Sequence, residues 1–351
     1  MDFGTFHLFE TIDSSETAAV HDQIDLMIAA EEMGFSSVWA AEHHFSEYGV
    51  CPSPILALAA VARQTKTLRL GTGIVVLPFH NPLRVAEELA FVDHLSHGRL
   101  EVGVGRGYRP RELEGFGVDP RDSREIANEA LEIIRQAWTE DIVDHQGERF
   151  QVGGVSVYPK PYRDPHPPVY LGSLSPETFP LVGKLGVNLL FTPTFREGED
   201  IPAQIAQYKQ AVIDSGGDPA TKRIGALRMV YVAETTAQAE AEFEPAWRRF
   251  HEVAQAQNAP RQGEISTPDV AKYRRPVAAN LDEAQQAGNV IAGDPDHVLQ
   301  QLARMQEEWQ LTDLILWTRV GGLAKDKVLG SMKLFSENVM PHLQASPAPT
   351  A

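Results

Sequence analysis

The sequence predicts an α/β protein built as a single (β/α)8 TIM barrel. Three observations lead there. Short apolar runs alternate with longer amphipathic ones, every ~30 residues through the first half, which implies parallel strands joined by helical crossovers. Eight segments of each kind can be assigned, the barrel count, whereas a doubly wound open sheet more often uses about five or six strands. The 351 residues are ample for one large core, and barrels routinely run that long as one unit.

The elements follow in order. Phe3–Leu8 reads as a strand at the start of the chain. Ser15–Gly34 reads as a helix, with Val20, Ile24, Met27 and Ile28 on one face and Gly34 as its terminator. Ser37–Ala41 is the second strand and Pro54–Gln64 the second helix. Leu68–Leu77 reads as one long strand stopped by Pro78. Pro82–Leu95 is a helix opened by proline, with Val85, Leu89 and Val92 on one face. Arg99–Val104 and Asp122–Trp138 complete four βα units.

Residues 141–168, rich in Gly, Pro and polar residues, read as an excursion with a hairpin. The alternation resumes with strand Pro168–Gly172, helix Ser175–Leu185, strand Asn188–Thr192 and helix Ile201–Asp214. Strand Ile224–Ala233 and helix Ala237–Gln255 follow, then strand Asp313–Thr318 and helix Lys325–Val339. Residues 255–292 are polar, with Pro260, Gly263, Pro268, Pro276 and Gly288, and are expected to form a long lid loop before the last βα unit. The barrel domain is expected to span 1–343 and the tail 344–351 to be disordered.

Composition narrows the function. Lys and Arg number 31 against 48 Asp and Glu, a net charge of −17. Such a chain repels phosphate backbones and anionic membranes, so neither nucleic acid nor membrane is expected as a partner. The one cysteine, Cys51, excludes internal disulfides and cysteine-based zinc sites and suits the cytoplasm. Met1–Glu10 has no basic n-region, and the apolar stretch Leu56–Ala62 is far too short to span a bilayer.

In a βα barrel the site lies at the C-terminal ends of the strands. After the second strand stands Glu42-His43-His44-Phe45, an acid/base or metal cluster, or a solvated strand end. The other strand ends offer Thr72, Gly105, Gly172, Thr192 and Thr318, poor divalent-metal ligands, so an organic cofactor is favoured and no metal is expected. Glycine within Gly71-Thr72-Gly73-Ile74 suits the close approach of a planar ligand, or a bulge. Arg106, among Gly103, Gly105 and Gly107, suits bidentate phosphate binding or a salt bridge. Ser175-Pro176 reads as an N-cap and first-turn proline; with Thr178 it forms an anion site or a plain cap.

These motifs, in this order, resemble the bacterial luciferase-like flavin monooxygenase family, and most of all its catalytic α-subunit pattern. They are Glu42-His43-His44-Phe45, Leu70-Gly71-Thr72-Gly73, Leu77-Pro78, Pro82-x-Arg84-x-Ala86-Glu87, Leu95-Ser96-x-Gly98-Arg99 and Gly103-x-Gly105-Arg106-Gly107. The resemblance runs from Phe3-Gly4 to Val339-Met340-Pro341. It implies a (β/α)8 barrel that binds reduced FMN at its mouth and reacts it with O2 through a flavin C4a-peroxide, oxygenating a small organic substrate such as an aldehyde or ketone. A separate NAD(P)H:flavin reductase would supply the flavin, and the enzyme would be a homodimer packed through Pro54–Gln64 and Pro82–Leu95.

By the same resemblance the phosphate sits on Arg106, the Leu174 backbone, Ser175 and Thr178. The isoalloxazine lies against Ala41, Glu42 and the Gly73-Ile74 backbone (a non-proline cis bond in many members), and Gly105 is a further cofactor-binding residue. His43 is the catalytic histidine, with Glu42 orienting it or shaping the pocket, and His44 beside them. Gly105 stands where the α subunit has a reactive cysteine, leaving space for a substrate. Tyr108 and Arg109 replace a leucine and a tyrosine, and Tyr273, Arg274 and Arg275 are the expected lid contacts. Three readings compete: an F420-dependent oxidoreductase of the same fold, a metal-dependent barrel hydrolase using His43 and His44, and a non-catalytic flavin-binding subunit.

Overall fold

The computed structural model describes residues 1–173, 175–193, 200–259, 278 and 280–344. Among them, parallel strands close a barrel: β1 (Asp2–His7), β2 (Ser37–Ala40), β3 (Arg69–Thr72), β4 (Leu100–Gly105), β5 (Val169–Ser173), β6 (Asn188–Phe191), β7 (Ile224–Val232) and β8 (Asp313–Trp317). Neighbours pair in chain order, β7 also pairs with β6, and β8 pairs with β1, so no barrel strand leaves an open edge. The TIM barrel expected from the alternation is the fold.

Local sequence explains the helices that wrap it. Ser15 accepts from Ala18 N–H at 3.2 Å to open Glu16–Glu32, and Gly34 follows it at φ +78°, where only glycine is unstrained. Asn81 accepts from Leu83 N–H at 3.0 Å to open Pro82–Leu95.

Several elements differ from expectation. The single strand expected over Leu68–Leu77 is broken into β3, a short Val75–Val76 strand paired with β4, and a 3-10 turn Leu77–Phe79. The cause is the Thr72 hydroxyl, which donates to Gly103 O at 2.7 Å and accepts from Gly103 N–H at 2.8 Å, replacing the backbone ladder there. The Gly73–Ile74 peptide that follows is cis.

Residues 255–292 are not loop throughout. Leu281–Gln286 is helical, and Val290–Gly293 is a strand added to β7. Helix Pro295–Trp309 was missed, although Asp294 caps it, Pro295 opens it, and Val298, Leu302 and Met305 are its buried stripe. Residues 143–155 form an antiparallel hairpin. Residues 345–351, most of the expected tail, lie outside the described residues.

Aromatic side chains fill the lumen: Phe6 meets Trp317 edge-on at 5.1 Å and Trp39 meets Tyr170 at 5.2 Å. A Cβ on Gly71 would lie 2.2 Å from the Trp39 indole. Gly71 therefore makes room for a core tryptophan and not for a planar ligand.

At the N-terminal end of the barrel a closed ion cluster ties β1, β3, β4 and β8 to the foot of β7. Arg69 reaches Asp313 at 2.8 Å, Asp2 at 3.1 Å and Glu101 at 3.2 Å, and Arg223 binds Asp2 and Asp313, each at 2.5 Å. Among the described residues, no helix is long and apolar enough to cross a membrane.

Candidate active site

A cavity opens at the C-terminal ends of the strands. Glu42, His43, Gly73, Ile74, Gly105, Arg106, Ser175 and Thr178 all line it, so most of the expected site residues share one pocket. Ala41 is buried in the wall, its N–H donating to His7 O, and neither it nor His44 lines the cavity. Leu174, Tyr273, Arg274 and Arg275 lie outside the described residues.

His43 is oriented by a residue that the sequence did not single out. Its Nδ1 lies 2.9 Å from Glu112 Oε1, with the His43 side chain 11% and Glu112 4% exposed. Burial would raise the Glu112 carboxyl, but His43 and Arg109 outweigh it and hold it below its ordinary value. An ionised carboxylate can only accept, so Nδ1 carries the hydrogen and Nε2 of the neutral ring carries the lone pair. Burial lowers the His43 imidazole below its ordinary value against the opposing pull of Glu112, so the ring is neutral at pH 7. The Tyr48 ring meets His43 edge-on at 4.9 Å, and the Arg109 guanidinium covers Tyr48 at 3.6 Å.

Glu112 reaches this position on the short helix Pro110–Gly115, which turns back over the mouth after β4. The sequence carried a partial signal, Arg109-Pro110 as a helix start, but no spacing links position 112 to position 43.

Glu42 has a different set of partners from the one expected. Its Oε2 accepts from Val76 N–H at 2.9 Å; its Oε1 meets His80 Nε2 at 2.8 Å and His44 Nε2 at 3.1 Å. Burial would raise this carboxyl, but the bonds from His44 and His80 outweigh it and hold it below the usual range. Glu42 thus pins the segments after β2 and β3 to each other. Among the described residues, no three His, Cys, Asp or Glu side chains are grouped to hold a metal ion.

The same cavity is lined by Arg106, Arg124, Ser175 and Thr178. The helix there begins at Thr178, not at Ser175-Pro176, and Ser175 is not its N-cap. The Ser175 and Thr178 hydroxyls lie 3.0 Å apart. Arg124 was not singled out from sequence. The space expected at Gly105 is taken: a Cβ there would sit 2.2 Å from Ile74 Cδ1. Elsewhere the cavity is apolar, with Phe6, Trp39, Leu227 and Trp317.

An imidazole paired with a carboxylate, and guanidinium and hydroxyl donors, share one largely apolar cavity at a barrel mouth, the place where barrel enzymes carry their sites. The family is found by comparison: the model of the luciferase-like monooxygenases matches residues 1–310, and the chain belongs to that family. It is a monooxygenase, an oxidoreductase.

The oxygenase component of a flavin-dependent trigonelline monooxygenase from Acinetobacter baylyi is 27% identical over 99% of this chain and 96% of its own. An alkanal monooxygenase alpha chain of Photorhabdus luminescens is 31% identical over 62% of this chain and 60% of its own. The solved structure of the monooxygenase RslO1 from Streptomyces bottropensis superposes with a TM-score of 0.87, 27% identity, 98% of this chain and 100% of that one. An F420-dependent secondary alcohol dehydrogenase shares the fold, with a TM-score of 0.73 and 20% identity over 97% of this chain and 98% of its own.

Proposed function

We propose that this monooxygenase is the oxygenase component of a two-component system. It uses reduced FMN and O2 to oxygenate a small, largely apolar organic substrate such as an aldehyde or ketone, and a separate NAD(P)H:flavin reductase supplies the flavin. The observation that carries the reading is the single cavity shared by the His43–Glu112 pair and Arg106, Arg124, Ser175 and Thr178.

That donor set fits a phosphate: two guanidiniums supply charge and forked N–H groups, and two hydroxyls complete the cradle. Gly73 and Ile74 offer a wall to a flat ring, with Gly105 beneath the Ile74 side chain, Glu42 beside it and Ala41 buried behind. Reduced flavin, when bound, supplies the two electrons that split O2, one atom going to the substrate and one to water. His43 accepts a proton from the substrate at Nε2, and Glu112 steadies the imidazolium that results. Glu42 holds His44 and His80 so that the mouth keeps its shape, while Phe6, Trp39 and Trp317 keep the cavity floor dry. The free, buried Cys51 suits the reducing cytoplasm.

The exposed Leu56 and Phe91, 70% and 58% accessible on helices Pro54–Ala62 and Pro82–Leu95, support a homodimer through that face. Sedimentation as a monomer at micromolar concentration would contradict it.

The second reading, an F420-dependent oxidoreductase, draws on the fold shared with the alcohol dehydrogenase. One experiment separates the two. Anaerobic reduced FMN is mixed with the protein and then with oxygenated buffer, and F420 binding is titrated in parallel. Reoxidation at least tenfold slower than in buffer, with no F420 binding, is expected. Reoxidation at the protein-free rate together with tight F420 binding reverses the assignment.

A further inference from the structure

A second pocket lies outside the barrel wall, and we propose that it binds a small-molecule oxyanion, a carboxylate or phosphate group, on the Arg228 guanidinium. Successive side chains of a strand face opposite ways. On β7, Leu227 therefore lines the central cavity while Arg228 lines a separate pocket of about 420 Å³ on the other face. Helices Leu281–Gln286 and Pro295–Trp309 and the strand Val290–Gly293 form its walls.

Arg228 is only 6% exposed, and its Nε and Nη1 are buried without a hydrogen-bond partner. Its guanidinium stacks on the Trp309 ring at 4.9 Å, which covers one face of the group but leaves its N–H edges unserved. Asp282 and Glu308 line the same pocket, yet among the described residues neither forms an ion pair with Arg228. Burial alone pushes the group down to about 9, so it keeps its proton at neutral pH and its charge is uncompensated.

Arg223 at the foot of the same strand sets the contrast, because it is neutralised by Asp2 and Asp313. A buried guanidinium with neither a carboxylate nor hydrogen-bond acceptors is costly to keep. An oxyanion in the pocket supplies the missing negative charge and an acceptor for one edge of the guanidinium. His297 and Arg304 add donors around the same pocket, while Trp309 and Met305 offer an apolar surface to the body of the ligand.

The test uses the Arg106→Ala variant of the full chain, so that phosphate cannot occupy the barrel mouth. Inorganic phosphate and benzoate are titrated separately by calorimetry in Tris chloride at fixed ionic strength. Binding of at least one anion is expected, and which one binds tells a phosphate-bearing ligand from a carboxylate. Adding Arg228→Met should weaken binding at least tenfold. Adding Gln301→Glu instead keeps Arg228 but sets a fixed carboxylate in the pocket; it should weaken binding as much and raise the Tm. Affinity unchanged in either variant, or no binding of either anion to the parent, overturns the proposal.

Discussion

The two ends of the barrel treat charge in opposite ways. At the N-terminal end, Arg69 and Arg223 are matched by Asp2, Glu101 and Asp313, and the cluster is closed on itself. At the mouth, the carboxylates of Glu42 and Glu112 are matched by the imidazoles of His44, His80 and His43. The base ties strands together with guanidinium–carboxylate pairs; the mouth pairs its carboxylates with imidazoles around a cavity that guanidiniums also line. Conserving a fold and moving a proton place different demands on the same residue types.

Substitutions at three positions sharpen that contrast, in descending order of effect. His43→Ala should lower turnover by about 10²–10⁴-fold, the usual worth of a positioned base, and leave flavin affinity within a few-fold, read by fluorescence titration. Equal loss of both would make His43 structural. Asp313→Ala should cost about 3 kcal/mol of stability, because it leaves Arg69 and Arg223 short of their shared partner, while turnover per folded molecule holds.

The pH dependence of that stability has a definite sign. The pull of Arg223 and Arg69 outweighs burial and holds the Asp313 carboxyl below its ordinary 3.8. Its contribution is therefore present above pH 3.8 and fades as pH falls through the lower folded value. Asp313→Asn should flatten that acid limb in a thermal-melt series.

Glu112→Gln should give the smallest change, a loss of turnover of at least about tenfold with flavin affinity kept. Because Glu112 raises the His43 imidazole, its removal should also move the acid limb of the rate profile to lower pH. A limb that stays in place would show that Glu112 only fills space.

The barrel was legible because its strands are local. Phe3–Leu8, Ser37–Ala41 and Asn188–Thr192 lie within a residue of the observed β1, β2 and β6. The Pro295–Trp309 helix is equally legible, since its cap, proline and buried stripe all stand in the sequence. The break after β3 was not, because it depends on one hydroxyl inserting between strands.

The site divides in the same way. Residues at strand ends, such as Glu42, His43 and Arg106, follow from the barrel rule once the strands are assigned. The partners of those residues do not: Glu112 with His43, His80 with Glu42, and Trp39 over Gly71 come from separate βα units. The sequence by itself determined the alternation, hence the barrel, its mouth and the family motifs, because periodicity and caps act over a few residues. Tertiary structure alone decided which carboxylate meets which imidazole and which guanidinium meets none, because those pairings depend on side chains that closure of the barrel brings together.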